Sequence, residues 1–506
     1  MRLSAPAARL GPLAVLAGGL ALRLYHLGAR SLWTDEGSTW TAVAAPLAAL
    51  VRRCIEREES PPLYYLLTAL ALRWDGGEVQ LRLVSALASA LLVWVTYRFA
   101  RQYAGRGEAT LAAALVALSP FQLMYAQEAR SYALVALFVV AALYFFARAA
   151  VLDRPRAWWP YLLVSALGIW TQDIALLGIG AQAAVMVLSP AARRHLRTWL
   201  LAQLAVALLF APWIVASWGH GAPLSETHWY VRPPGAHGIL LLARALFLAP
   251  FPLIGSAPAP GLEGWLPRPA AWLALAVLAA GPFVFALRSL TAPAPRGPVL
   301  RLALAGLVLP PAAVLAASPW LPVWLPRYFV FLSPPLALLL ARGLAALRPR
   351  ALGVAWAVLL LALQLHGDVR YDRGFAKEPW RELVRHVAAT SPPARTAVLV
   401  MFDVDPFAYY ASRLPAAPPV YEVSHADAPF SGHLSAAQLD EAEAQARART
   451  VGFADVWVVS RNLRSESRRD LAARTERLAA AGRMLAEERA WPSASDTILT
   501  RHYRRP

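Results

Sequence analysis

The chain has 506 residues, of which 58% are hydrophobic and only 16% charged, against about a quarter charged in an ordinary soluble domain. This composition excludes a soluble enzyme, a disordered regulator and a fibrous repeat, and points to several membrane-spanning helices. The excess of 49 basic over 31 acidic residues, a net charge of +18, then reads as topology-setting arginine between apolar spans and not as a nucleic-acid footprint.

In chain order, the first apolar run covers residues 11–22 and is followed by Arg23 and His26. No small-x-small cleavage site comes after it, so it reads as an uncleaved first span. Further runs lie near 82–100, 109–126, 132–147, 158–172, 174–189, 199–217, 270–287, 301–317, 328–345 and 351–366, each close to the ~20 residues a bilayer requires. The segment 238–256 carries Arg244 and is closed by Pro250 and Pro252, which suits an amphipathic or re-entrant piece. Arginine clusters recur at alternate turns, at 98–106, 148–156, 193–197, 288–301 and 342–350. Their alternation predicts about eleven spans with a cytoplasmic N-terminus and an external C-terminal end. The expected fold is mainly α. A polytopic membrane helical bundle occupies 1–366, with a long first outer loop at 28–80, and an extracytoplasmic soluble α/β domain occupies 367–506. In that tail, helix-like stretches (378–390, 435–448, 464–486) alternate with strand-like runs at 397–402, 456–460 and 497–499.

The side chains suited to chemistry gather in the outer loops. Leu32-Trp33-Thr34-Asp35-Glu36 places two adjacent carboxylates just after the first span. Acids at a membrane face are costly unless solvated or paired, so the pair marks a candidate site as readily as a helix start. Ser60-Pro61-Pro62-Leu63-Tyr64-Tyr65 sets a helix start at the membrane surface, with both tyrosines suited to an aromatic belt. The short loop Tyr125-Ala126-Gln127-Glu128-Ala129-Arg130-Ser131-Tyr132 holds an acid and an arginine between two spans. A local ion pair is the plain reading, but the planar arginine fork also suits phosphate. Arg327 and Tyr328 stand at the mouth of the tenth span. Three separate loops thus bring carboxylates, tyrosines and arginines to one side of the membrane, the makings of a site for a lipid-linked, phosphate-bearing substrate. The single lysine, Lys377, reads as a by-product of arginine-rich composition, and the single cysteine, Cys54, allows no intramolecular disulfide. The sequence has no phosphate-binding glycine loop, no dinucleotide fingerprint, no serine-hydrolase elbow and no Cys or His pair at metal spacing. The alternatives are a transporter or flippase of a lipid-linked saccharide, and a non-catalytic scaffold. Against transport, the charges sit at span ends and not at the midplane, and no internal repeat is seen.

The three loop blocks, with Gln80-Leu81-Arg82-Leu83, resemble the multi-pass GT-C glycosyltransferases, in the bacterial branch related to protein O-mannosyltransferases and the aminoarabinose lipid A transferase. The likeness is good over 20–150 and weak in the tail. It implies inverting transfer of a sugar from a polyprenyl-phosphate donor to a lipid, glycan or protein acceptor at the outer face of the plasma membrane. Asp35 would be the general base, and Arg130 or Arg327 would meet the charge on the leaving phosphate. Glu36 would hydrogen-bond sugar or acceptor hydroxyls, and Glu128 would orient Arg130. Tyr64, Tyr65, Tyr132 and Tyr328 would line the substrate. Ser60 stands where relatives often carry His or Lys, and Thr171-Gln172-Asp173 where they often carry Thr-His-Tyr. Both departures remove candidate metal ligands, so neither metal nor cofactor is expected.

Overall fold

The structure, a computed structural model, describes residues 7–58, 60–74, 76–220, 234–247, 281–321, 323–402, 404–424, 434–461, 466–493 and 497–506. The expected span at 270–287 and the re-entrant piece at 238–256 lie partly outside these residues. The first half of the chain forms α1 (Ala7–Leu24), α2 (Thr34–Ala44), α3 (Leu47–Arg53), α4 (Leu63–Leu72), α5 (Glu78–Ala100), α6 (Arg106–Ala117), α7 (Pro120–Ala126), α8 (Tyr132–Phe146), α9 (Trp158–Thr171) and α10 (Leu177–Leu188). Among the described residues six helices are long and apolar enough to cross a membrane, or seven if α6 and α7 count as one. The expected eleven therefore includes runs that are shorter than a full span or bent. The run 109–126 shows why. Its apolar pattern is continuous, but Pro120 cannot donate into a helix begun upstream, and Ser119 caps a new helix by accepting from the Gln122 amide at 3.4 Å. The two pieces meet at 56°.

α5 and α8 pack against each other in the middle of the bundle. The span that begins with α8 is 83% enclosed, whereas Leu196–Ser217 is 11% enclosed and turns its apolar surface outward. The last long helix, Arg350–Gly374, continues well beyond residue 366, so the expected boundary falls inside it. It hands the chain directly to the tail.

The tail is built on a five-stranded sheet in the order β2-β1-β3-β5-β4. The strands are β1 (Thr396–Met401), β2 (Val420–Val423), β3 (Asp455–Ser460), β4 (Met484–Pro492) and β5 (Thr497–Arg504). β1 runs parallel to β2 and β3, and β5 is antiparallel to β3 and β4. β1 and β3 are buried along their whole length, as central strands covered on both faces must be. β2 and β4 are not among the strands expected from the sequence. The helix expected over 464–486 ends at Ala480, and Gly482 then adopts φ +67°, a left-handed conformation that stops helices. The chain continues from Met484 as the edge strand β4.

The tail does not own all of its core. One apolar cluster joins Leu32, Leu50, Tyr65 and Leu81 of the long loop 28–80 and its flanks to Trp380, Val398, Phe407 and Trp457 of the tail. Polar ties reinforce the seam. Asp405 accepts from Ser38 (3.0 Å), Thr41 (2.8 Å) and Arg53 (3.1 Å). The Tyr410 hydroxyl accepts from the Leu32 amide (2.8 Å) and donates to Glu78 (3.1 Å).

Candidate active site

The first turn of α2 carries the two adjacent carboxylates, where the exposed amides and the helix dipole favour negative charge. Their fates diverge at once. Glu36 is fully buried. Arg82 grips it with two bonds, Nε to Oε1 and Nη2 to Oε2, both 2.7 Å. Lys377 donates to Oε2 at 3.0 Å, and the Ala129 amide donates to Oε1 at 2.9 Å. Burial alone would raise this carboxyl, but Arg82 and Lys377 outweigh burial and hold it at about 2. Arg82 spends its other donors on the carbonyls of Leu27, Arg30 and Ser31 (2.8–3.1 Å). This knot locks the loop before α2 against the start of α5. Glu36 therefore holds the site together and offers no free oxygen to a sugar, contrary to the expected contact.

Asp35 points elsewhere. Its side chain keeps 27% of its surface exposed and lies 3.3 Å from the Arg327 guanidinium. Arg327 is presented by the short helix Pro326–Leu332 and stands 5.8 Å from the ring centres of both Tyr132 and Tyr328. Those two rings are 6.3 Å apart, and Tyr125 packs edge-on to Tyr132 at 5.4 Å. Arg130 reaches the Asp35 carbonyl and the Thr39 hydroxyl, each at 3.4 Å. Its own carbonyl accepts from Ser85, whose hydroxyl also meets Tyr64 at 3.0 Å. Asp35, Arg130, Tyr132, Arg327 and Tyr328 are thus brought together, as expected from three loops. Tyr64 and Tyr65 are not at an open surface. Both are buried, Tyr64 behind Arg130 and Tyr65 in the core shared with the tail. The helix that starts after the two prolines turns these rings inward instead of leaving them at the membrane rim.

Glu128 differs from expectation too. It is buried, its Oε2 has no hydrogen-bond partner, and the cation that acts on it most is Lys377, not Arg130. Burial pushes its carboxyl up, Lys377 opposes this, and the neighbouring Glu36 and Asp35 add to it. Burial also lowers the Lys377 ammonium, against the pull of Glu36. The lone lysine, incidental by composition, is therefore the cation facing both glutamates. Its uniqueness in the sequence is the available signal, but nothing local ties residue 377 to residue 36. Arg82 and Gln127 both sit within blocks singled out above, but nothing in those blocks names their partners. Gln127 accepts from Arg30 (3.1 Å) and donates to the Tyr25 carbonyl (2.7 Å). Gln172, at one departure from the family pattern, accepts from Ser131 at 3.0 Å and so fixes the turn before α8. Among the described residues no group of three or more His, Cys, Asp or Glu could hold a metal ion.

Residues 59–218 match a family model described as dolichyl-phosphate-mannose-protein mannosyltransferase. The structure of ArnT from Cupriavidus metallidurans bound to undecaprenyl phosphate is similar with a TM-score of 0.59, at 17% identity, over 96% of this chain and 97% of that one. The archaeal oligosaccharyltransferase AglB from Archaeoglobus fulgidus, in complex with an inhibitory peptide and a dolichol-phosphate, is similar with a TM-score of 0.50, at 14% identity, over 88% of this chain and 69% of that one. The fold is that of the GT-C glycosyltransferases. No curated protein matches the chain in sequence. The family model covers about a third of the chain, and the structural likeness extends over nearly all of it.

Proposed function

We propose that this GT-C protein moves a sugar from a polyprenyl-phosphate donor to an acceptor hydroxyl, with inversion, at the extracytoplasmic face of the plasma membrane. The observation that carries the reading is the partly exposed Asp35 carboxylate facing Arg327 at 3.3 Å, inside a ring of tyrosines. The lipid phosphates bound to the similar structures support a donor of that class.

The chemistry asks for few groups. A phosphate ester leaves without a general acid. The acceptor oxygen needs a base, and the departing phosphate needs positive charge. Without substrate, Asp35 and Arg327 neutralise each other. A donor phosphate competes for the Arg327 fork, which frees Asp35 to take the acceptor proton. The acceptor oxygen then bonds to the anomeric carbon from the face opposite the phosphate, and the bond to phosphate breaks with its electrons. Arg130 stands beside this path, and Tyr132 and Tyr328 offer faces for the sugar. A lipid, a glycan or a protein can supply the hydroxyl. No nucleic acid has a part, and no metal or other cofactor is needed where two arginines supply the charge.

The test is transfer of radiolabelled sugar from a panel of polyprenyl-phosphate donors in membranes, for wild type and Asp35→Asn. We expect transfer to fall by about 100- to 10,000-fold, the usual worth of a positioned base, with insertion intact and with wild-type transfer insensitive to a chelator. Full transfer by Asp35→Asn would remove the base assignment. A C-terminal alkaline phosphatase fusion is expected to be active, as an external tail requires.

A further inference from the structure

The two central helices that start at the site end in a second, unassigned feature. α5 carries Arg82 near its beginning and Arg98 near its end. α8 begins at Tyr132 and continues through a π-helical turn, Ala147–Val151, that holds Arg148. Sixteen helical residues cover roughly 24 Å, close to the hydrocarbon thickness of a bilayer. The far ends of both helices therefore lie at the opposite membrane surface from Asp35.

There they enclose a cleft of about 760 Å³ whose lining includes Trp94, Arg98, Tyr144, Arg148, Arg154 and Arg156. Four arginines face one acid, Asp153, which already sits 3.3 Å from Arg194. Arg148 donates to the Tyr144 hydroxyl at 3.0 Å and so is held at the cleft wall. Arg98 stands 5.7 Å from the Trp94 ring centre. Arg98, Arg154 and Arg156 are exposed, and among the described residues none of the three is paired with an acid. Scattered arginine and tryptophan at a membrane surface serve as anchors. Here they converge on one concave volume with aromatic walls, which anchoring alone does not require.

We propose that this cleft binds the headgroup of an anionic phospholipid in the leaflet opposite the active site. The guanidinium groups match phosphate oxygens in charge and geometry. The Trp94, Tyr144 and Phe145 rings border the cleft where the glycerol and upper acyl chains begin. The site is independent of the transfer reaction, since no residue of the Asp35 cluster takes part.

The experiment is native mass spectrometry of the purified full-length protein with phosphatidylglycerol or phosphatidylcholine added. One phosphatidylglycerol should be retained in preference to phosphatidylcholine. Retention should drop on the order of a hundredfold in the triple variant Arg98→Gln, Arg154→Gln, Arg156→Gln, from roughly fivefold per arginine at a membrane surface. Arg156→Gln alone, which breaks no hydrogen bond, should give about the single-arginine loss and covers the case of a triple variant that does not fold. Equal retention of the two lipids by wild type, or unchanged phosphatidylglycerol retention in a folded variant, overturns the proposal. Displacement of the lipid by millimolar inorganic phosphate also overturns it, in favour of a soluble anion.

Discussion

Asp35 and Glu36 are neighbours in sequence and opposites in surroundings because successive helical residues point about 100° apart. One faces the open side of the bundle and the other faces Arg82. A buried carboxylate with two cations cannot lose its charge cheaply. Glu36→Gln leaves Arg82 and Lys377 partly unpaired in a closed space and should cost about 3–5 kcal/mol. Lys377→Met leaves the Arg82 fork in place and should cost less. Thermal melting of the purified variants checks the order. The same knot gives a pH dependence. Glu36 is held at about 2, below its ordinary 4.5, so its contribution is complete above pH 4.5 and is lost as pH falls from there toward 2. The integrated loss is on the order of 3 kcal/mol. Melting temperature plotted against pH should fall in that window for wild type and fall less for Glu36→Gln. The sequence makes both acids candidates but cannot tell them apart. The deciding partners lie 46 and 341 residues away from Glu36, and Lys377 arrives from beyond the last span.

At the scale of elements, α2 is set by how closely it meets the tail helix Asp405–Ala411. A Cβ on Gly37 would lie 2.7 Å from the ring and nitrogen of Pro406, so the two helices touch only because residue 37 has no side chain. Gly37→Ala should push them apart at a cost of about 1–3 kcal/mol and should loosen the Ser38, Thr41 and Arg53 bonds to Asp405. On α6, a methyl group added at Gly107 would meet nothing within 4 Å, and Gly107→Ala should be neutral or slightly stabilising by helix propensity. Melting temperatures and protease sensitivity of the two variants check the contrast. The elements themselves are unevenly legible. Long apolar runs announce α5, α8 and Leu196–Ser217, and the wholly apolar cores of β1 and β3 announce central strands. β4 is hidden because it is an exposed edge strand rich in Glu and Arg, with no alternation to separate it from a helix.

At the scale of the whole molecule, the composition shift near residue 367 marks a change of solvent and reads in the sequence as a domain boundary. The structure joins the two regions more tightly than that. One face of the tail sheet packs on helices Ala436–Thr450 and Glu466–Ala480 through Leu399, Met401, Val456 and Leu471, a core the tail supplies itself. The opposite side is completed by Leu32, Leu50, Tyr65 and Leu81 from the long loop 28–80 and its flanks. A composition profile cannot see such sharing, since each half of the cluster looks like an ordinary apolar stretch. The tail also delivers Lys377 to Glu36 and Glu378 to Thr34 (3.1 Å), so it is part of the scaffold that aims Asp35. Residues 376–506 expressed alone should keep sheet and helix by circular dichroism, because half of the core remains. They should nonetheless melt broadly and bind a hydrophobic dye, because Trp380, Phe407 and their neighbours face water. A sharp, dye-silent melt of the isolated tail would show that the loop contributes little to its stability, and would return the tail to the status of a separate domain.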